Sequence, residues 1–447
     1  MKKVIMILAL IILAGGMIFA GGNRQQSSSS SAAAPAAAAS STSVVRWSFW
    51  GGEARIRNYQ LTNDIFLAET GIIIAGEPAP GTDQHFNKFL TTFRGGGAAD
   101  IIQLGGYFSN LGNINDDGRN VPELKDMLLP LDPFVASGVL NISNVDQAAI
   151  NAGTRNGTLY AISAGTNMPA LVYNKSMLQR VGAPLPKVDM NWAEFDTWLK
   201  AVQARLPAGT YAMTDNGSTT TGSVFFGYWA GDNQTPMWDG SKTHLTAAII
   251  QRYFDLWSGW RQAGVIPPAA TAADYAETNE STSSLIAGKT ALSFIWSNQL
   301  NGYQGAIEDE LDLIMLPNAS VTKGLWAQMS QMMAINVNSK NAEAAAKYIN
   351  FRVNDPRVWE QMGADPGVPV TPATRAAVAA KANDITKKIV AYLDVAGKNA
   401  SPPNPNMPGD TEWNSGLFLI YQQAAYGRIT NAAASQQVMD LITRLTR

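Results

Sequence analysis

The sequence contains no cysteine and only two histidines. Without thiols the chain forms no disulfide, no thiolate metal site and no cysteine nucleophile. His85 and His244 do not lie at metal-ligand spacing, and no Gly-x-Ser-x-Gly elbow occurs, so the usual zinc-hydrolase and serine-hydrolase signatures are missing. Strong charge is lacking too: charged residues make up 15% and the formal net charge is −2, which gives nucleic acid nothing to bind. Beyond the N-terminus no apolar run approaches the roughly 20 residues of a membrane-spanning helix. What is present is a 447-residue chain, 46% apolar, longer than one hydrophobic core usually organises, so two lobes are expected.

Met1 to Ala20 has the layout of a secretory signal peptide, with Lys2-Lys3, an apolar stretch from Val4 to Leu13, and small residues leading to Ile18-Phe19-Ala20. Cleavage after Ala20 is expected, which places the mature protein in the periplasm or elsewhere outside the cytoplasm. Leu13-Ala14-Gly15 would match a lipoprotein signal if a cysteine followed; Gly16 stands there instead, so that lipid anchor is excluded. Retention of Val4 to Ala20 as an N-terminal membrane anchor is the alternative. Residues 21–43 are nearly all Ser, Ala, Gly, Gln and Pro, a composition that cannot bury enough surface to fold and reads as a low-complexity linker.

Folding signals begin at Val44. Alternation in Val44 to Trp50 puts Val45, Trp47 and Phe49 on one face of a strand, and Gly51-Gly52 ends it. A helix over Glu53 to Glu69, a strand from Gly71 to Ala75, a helix over Asp83 to Arg94 and a strand from Ala99 to Leu104 then suggest an α/β lobe with a parallel sheet. Further strands are expected at Thr158–Ile162, Ala170–Tyr173, Tyr211–Thr214, Thr290–Trp296 and Met332–Val337. Ile249, Tyr253, Leu256, Trp257 and Trp260 recur at helical spacing and are closed by Gly264 and Pro267-Pro268. Helices are also expected over Ala342–Val353 and Ala432–Leu445, and on a face made of Trp413, Leu417, Ile420, Tyr421 and Ala424.

From Val44 to the C-terminus, these segments in order resemble the extracellular solute-binding protein family 1, the maltose-binding-protein-like receptors of ABC transporters. The resemblance is carried by Trp47-Ser48-Phe49-Trp50-Gly51, Ala99-Asp100-Ile101-Ile102, Leu131-Asp132, the pair Gly157 to Ile162 and Leu171-Val172-Tyr173-Asn174-Lys175, Asn191-Trp192-Ala193-Glu194-Phe195, Gly288-Lys289-Thr290-Ala291-Leu292, Leu316-Pro317 with Gln331 to Asn336, and Gly367-Val368-Pro369-Val370. The family often has proline where Ala99 stands and methionine where Leu292 stands, and Asn216 to Trp238 aligns with nothing. The resemblance implies an α/β, two-lobed periplasmic-binding-protein fold (type II) with the ligand cleft between the lobes. The N-terminal lobe is expected from 44–150 plus 326–353, and the C-terminal lobe from 151–325 plus 354–447. It further implies a monomeric receptor that binds a small solute, a neutral mono- or oligosaccharide, by hinge closure. The loaded receptor delivers that solute to the permease subunits of an ABC importer. No cofactor, metal or catalytic residue is implied.

A sugar needs flat aromatic surfaces for its C–H faces and short polar groups for its hydroxyl rim. Trp47, Trp198 and Trp257 read as core. Trp50, at the end of the first strand beside two glycines, fits cleft or core. The resemblance places Trp296 and Trp413 in the cleft, while Trp229 and Trp326 are open. Polar candidates are Glu53, Gln103, Asn298 and Gln328, each near an expected strand end or turn; Tyr173-Asn174-Lys175 reads as structural. A charged solute (polyamine, phosphorylated polyol or metal complex) is the alternative, because Arg55 and Arg57 follow the first strand; a carbohydrate-active enzyme, which would need two opposed carboxylates, ranks lower. Gly288-Lys289-Thr290 and Gly217 to Gly222 imitate phosphate loops but lack the required glycine and lysine, and Asn113 to Gly118 resembles a calcium loop without its acidic first and last positions.

Overall fold

Val45, Trp47 and Phe49 are buried as the alternation requires, on strand β1 (Val44–Trp50). The structure, a computed structural model, describes residues 43–105, 127–155, 157–218, 222–233, 235–239, 241–277, 279–318, 325–399 and 407–446. The leader, almost all of the linker and the calcium-like turn at Asn113 to Gly118 lie outside them. Helix α1 (Glu53–Thr70) follows β1 and stops at Gly71, whose φ of 68° is open to glycine without strain. Then come β2 (Ile73–Ala79), α2 (Thr82–Arg94) and β3 (Ile101–Leu104). As expected, β1 pairs in parallel with both β2 and β3.

The short hairpin β4 (Thr154–Arg155) and β5 (Thr158–Leu159) precedes β6 (Ala161–Asn167). The chain then builds a second sheet from β7 (Pro169–Asn174), β8 (Leu292–Trp296) and β9 (Leu311–Ile314), antiparallel in the order β8-β7-β9. Tyr211 to Thr214 runs beside β8 but forms only the single bridge Tyr211 to Thr290, not a strand. Around this sheet pack α3 (Trp192–Gln203), α4 (Gly222–Asp232) and α5 (Ala247–Gln262). A capping box starts α3: Asn191 Oδ1 accepts from Glu194 N, and the Glu194 carboxylate accepts from Asn191 N. The Tyr-Asn-Lys step is structural, since Asn174 Oδ1 caps the next helix by accepting from Met177 N at 2.7 Å.

Strand β10 (Gln328–Ile335) returns to the first sheet and lies between β6 and β3, antiparallel to both. Helices α6 (Ala342–Asn354) and α7 (Pro356–Met362), β11 (Val368–Pro369) and α8 (Pro372–Ala380) complete that lobe. The full order is β11-β6-β10-β3-β1-β2, so the sheet is mixed rather than parallel. Helices α9 (Asp384–Ala396), α10 (Asp410–Ala425) and α11 (Asn431–Leu445) close the second lobe.

Two hydrophobic cores correspond to the two lobes. The crossings fall elsewhere than the sequence suggests, except near Trp326. The first lies between Asn167 and Met168, not near Asn151, because β6 pairs with β10 from Asn167↔Gln328 to Ala161↔Ala334. The last follows α8 rather than Val353, because Val358, Trp359, Met362, Val370 and Val378 are packed in the first core while Ile389 and Tyr392 are in the second. Ala161 to Asn174 is buried almost throughout, and the change of sheets falls at Asn167-Met168, just after its small and polar stretch Gly165-Thr166-Asn167.

Candidate ligand-binding site

The two lobes meet at strand ends. Past β1, Gly51 N donates to Ala79 O at 3.1 Å and the chain enters α1, whose N-terminus has no side-chain cap. Arg55, in the first turn, grips Asp365 with two bonds, Nε to Oδ2 at 2.8 Å and Nη2 to Oδ1 at 3.1 Å. Asp365 belongs to the loop between α7 and β11. Burial opposes the charged form of Arg55, but Asp365 beside it, helped by Glu280, raises its pKa above the ordinary arginine value. One turn further, Tyr59 donates to Gln331 Oε1 at 2.6 Å. Gln331 sits on β10 with φ 47°, a left-handed conformation costly for a non-glycine residue, and the Tyr59 bond anchors its side chain there.

The second lobe reaches the same loop. Asn298 Nδ2 donates to the Asp365 carbonyl at 2.6 Å, so Asp365 ties α1 through its side chain and the other lobe through its backbone. Ser297 is fixed at the crossing, its N donating to Met168 O at 2.9 Å and its Oγ accepting from Met168 N at 3.2 Å. Trp296, at the end of β8, meets Trp326 edge-to-face with ring centroids 6.2 Å apart, and Trp326 Nε1 donates to Gln328 Oε1 at 3.3 Å. Both indoles are half-buried.

Trp296, Asn298 and Trp326 are thus brought together at the crossing, with Gln328 beside them. Trp50 is half-buried at the end of β1, its ring 5.2 Å from His85 and 5.9 Å from Phe86. Glu53 is exposed and pairs with Arg57 at 3.6 Å. Gln103 is fully buried: its carbonyl accepts from His85 Nε2 at 2.8 Å, while its side-chain amide has no partner among the described residues. A carbonyl only accepts, so the neutral His85 ring carries its proton on Nε2, leaving Nδ1 to accept from Ser48 Oγ at 3.3 Å. Burial pushes the His85 pKa down to about 4, against the Gln103 carbonyl, which favours the charged ring.

The structure buries one tryptophan expected in the cleft, Trp413, and one that the sequence left open, Trp229. Trp229 is 5% exposed and Trp413 1% exposed, both in the second core. Trp229 belongs to α4, which is buried nearly all round, and its ring stacks on Phe226 at 6.2 Å. Trp413 faces the same Phe226 at 6.0 Å. Its spacing with Leu417, Ile420 and Tyr421 was the available signal, since a tryptophan in register with an apolar stripe goes where the stripe goes. Sequence reasoning missed Asp365, whose role depends on two partners far away in the chain, and Glu280, described below.

Among the described residues no three His, Cys, Asp or Glu are placed to hold a metal ion, and no helix is long and apolar enough to cross a membrane. Two α/β lobes with three chain crossings and facing strand ends define the two-lobed binding-protein fold. The chain belongs to the bacterial extracellular solute-binding protein family, whose pattern it matches over residues 63–388. The fold is shared with an extracellular solute-binding protein family 1 member from Alicyclobacillus acidocaldarius, at 23% identity over 90% of this chain and 98% of that one, TM-score 0.65. It is shared also with a periplasmic oligogalacturonide binding protein from Yersinia enterocolitica in complex with saturated digalacturonic acid, at 20% identity over 90% and 100%, TM-score 0.77. A third is an ABC substrate-binding protein from Listeria monocytogenes in complex with cycloalternan, at 15% identity over 90% and 98%, TM-score 0.73.

Proposed function

We propose that this protein is the substrate-binding component of an ABC importer, exported by its leader, that closes on a carbohydrate between its lobes and delivers it to membrane permease subunits. The observation that carries the reading is the half-buried Trp296–Trp326 pair beside Asn298 at the crossing, which joins aromatic faces to amide groups as a sugar requires. Trp296 and Trp326 stack on the sugar, Trp50 closes from the end of β1, and Asn298 and Gln328 bind hydroxyls. The oligogalacturonide and cycloalternan complexes of proteins with this fold support a glycan ligand. Of the two arginines that follow the first strand, Arg55 is held bidentately by Asp365, while Arg57 stands exposed beside Glu53.

A thermal-shift panel of neutral oligosaccharides against polyamines and phosphorylated polyols tests this. A ligand at 100 times its dissociation constant adds about 2.7 kcal/mol of stability, and a neutral glycan is expected to do so. Stabilisation by the charged solutes alone, or recovery of shortened saccharide after incubation, would overturn the reading.

A further inference from the structure

The second lobe also presents a carboxylate to the end of β1. Glu280 opens the short helical turn Glu280–Thr282, which Asn279 caps by accepting from Ser281 N at 2.9 Å. Its Oε1 lies 3.8 Å from the place a Cβ on Gly52 would take, at the uncapped start of α1. Its Oε2 lies 3.2 Å from the Cβ position of Gly302, in the helix Leu300–Gly305 that follows Asn298. Glycine on both sides lets this carboxylate stand between the two walls, and it has no hydrogen-bond or ion-pair partner among the described residues. Its charge adds to that of Asp365 in favouring the charged Arg55, whose donors Asp365 already takes bidentately. Two carboxylates therefore flank one guanidinium and the partial positive charge at the start of α1, so the balance at this place is negative, with Glu280 carrying the charge that Arg55 does not bond.

We propose that Glu280 sets the charge selectivity of the site, favouring neutral glycans and excluding those that carry carboxylates. The proposal rests on the carbohydrate reading above. A carboxylate accepts only, so it matches sugar hydroxyls, which donate. A uronate brought to the same place meets a like charge in partly desolvated surroundings, and such a contact is repulsive enough to decide between ligands.

The experiment titrates the full chain by tryptophan fluorescence with neutral disaccharides (galactobiose, maltose, cellobiose) and with digalacturonate. Wild type is expected to bind a neutral sugar and to discriminate against digalacturonate. E280Q is expected to cut that discrimination by roughly tenfold or more through tighter uronate binding, while a wild-type-like melting temperature of the free protein reports that it is folded. E280D, which keeps the charge, should keep the preference. Digalacturonate binding wild type as well as any neutral sugar, an unchanged ratio in E280Q, or loss of the preference in E280D would each overturn the proposal and leave the carbohydrate reading standing. If wild type binds no glycan of either charge, the carbohydrate reading falls and takes the selectivity with it.

Discussion

The two lobes bury different things. The core of the second holds five of the chain's twelve tryptophans, Trp198, Trp229, Trp257, Trp260 and Trp413, interlocked with Phe225, Phe226, Tyr253 and Tyr421. The first buries two, Trp47 and Trp359, and where the second hides the carboxylates Asp215, Asp232 and Glu277 it hides His85, Gln103 and a cation: Arg352, 2% exposed, lies over Trp47 and Tyr59 with its guanidinium 5.3 and 4.5 Å from the ring centroids. Arg352 donates to Thr62 Oγ1 at 3.2 Å, and the two rings act as its electrostatic partners. In this chain tryptophan is therefore first a core residue of the second lobe. Only the half-buried ones at strand ends remain as binding groups.

The largest test of that contrast is Trp413→Ala against Trp296→Ala. Removing the buried indole should cost about 3–5 kcal/mol in urea unfolding. Removing the half-buried one should cost about 1 kcal/mol and abolish saccharide-dependent fluorescence change. A neutral Trp413→Ala would break the comparison.

Acid should next single out the first lobe. Folding holds His85 neutral down to about pH 4, whereas the unfolded chain binds a proton below its ordinary value near 6.5. The unfolded state thus carries more protons between these limits, so stability falls as pH drops through that window, by up to about 3 kcal/mol, and is unaffected by this group above it. In His85→Gln the melting temperature should depend less on pH between 6.5 and 4; an unaltered slope would remove His85 as the cause.

A smaller effect than that of acid is expected of Tyr59→Phe. It leaves the buried Gln331 carbonyl oxygen without its donor, at a cost of about 1–2 kcal/mol in thermal unfolding. A cost near zero would mean the left-handed backbone at Gln331 does not depend on Tyr59.

Local signals in the sequence are legible where one element carries them: the alternation of Val45, Trp47 and Phe49 and the stripe from Tyr253 to Trp260 depend on residues within a few turns of each other. The region after Val353 reads as helical, but the bounds of α7, α8 and α9 are not marked by periodicity, although Pro356 and Pro372 stand in the first turns of α7 and α8, a position proline favours. At the candidate site, the nearness of Trp296 and Asn298 is legible because both stand at one strand end. Asp365 is not: it matters through Arg55 and Asn298, and no periodicity links three residues so distant in the chain.

The position of β10 has a consequence for how the chain assembles. As synthesis proceeds, β1, β2 and β3 form one piece of the first sheet and β6 another, each with an open edge, and the strand that joins them starts only at Gln328. The intervening segment has its own sheet and core to collapse upon. The first sheet therefore stays in two pieces until β10 is made, although it begins at the N-terminus, and until then its bare strand edges are a part of the nascent protein in need of shielding.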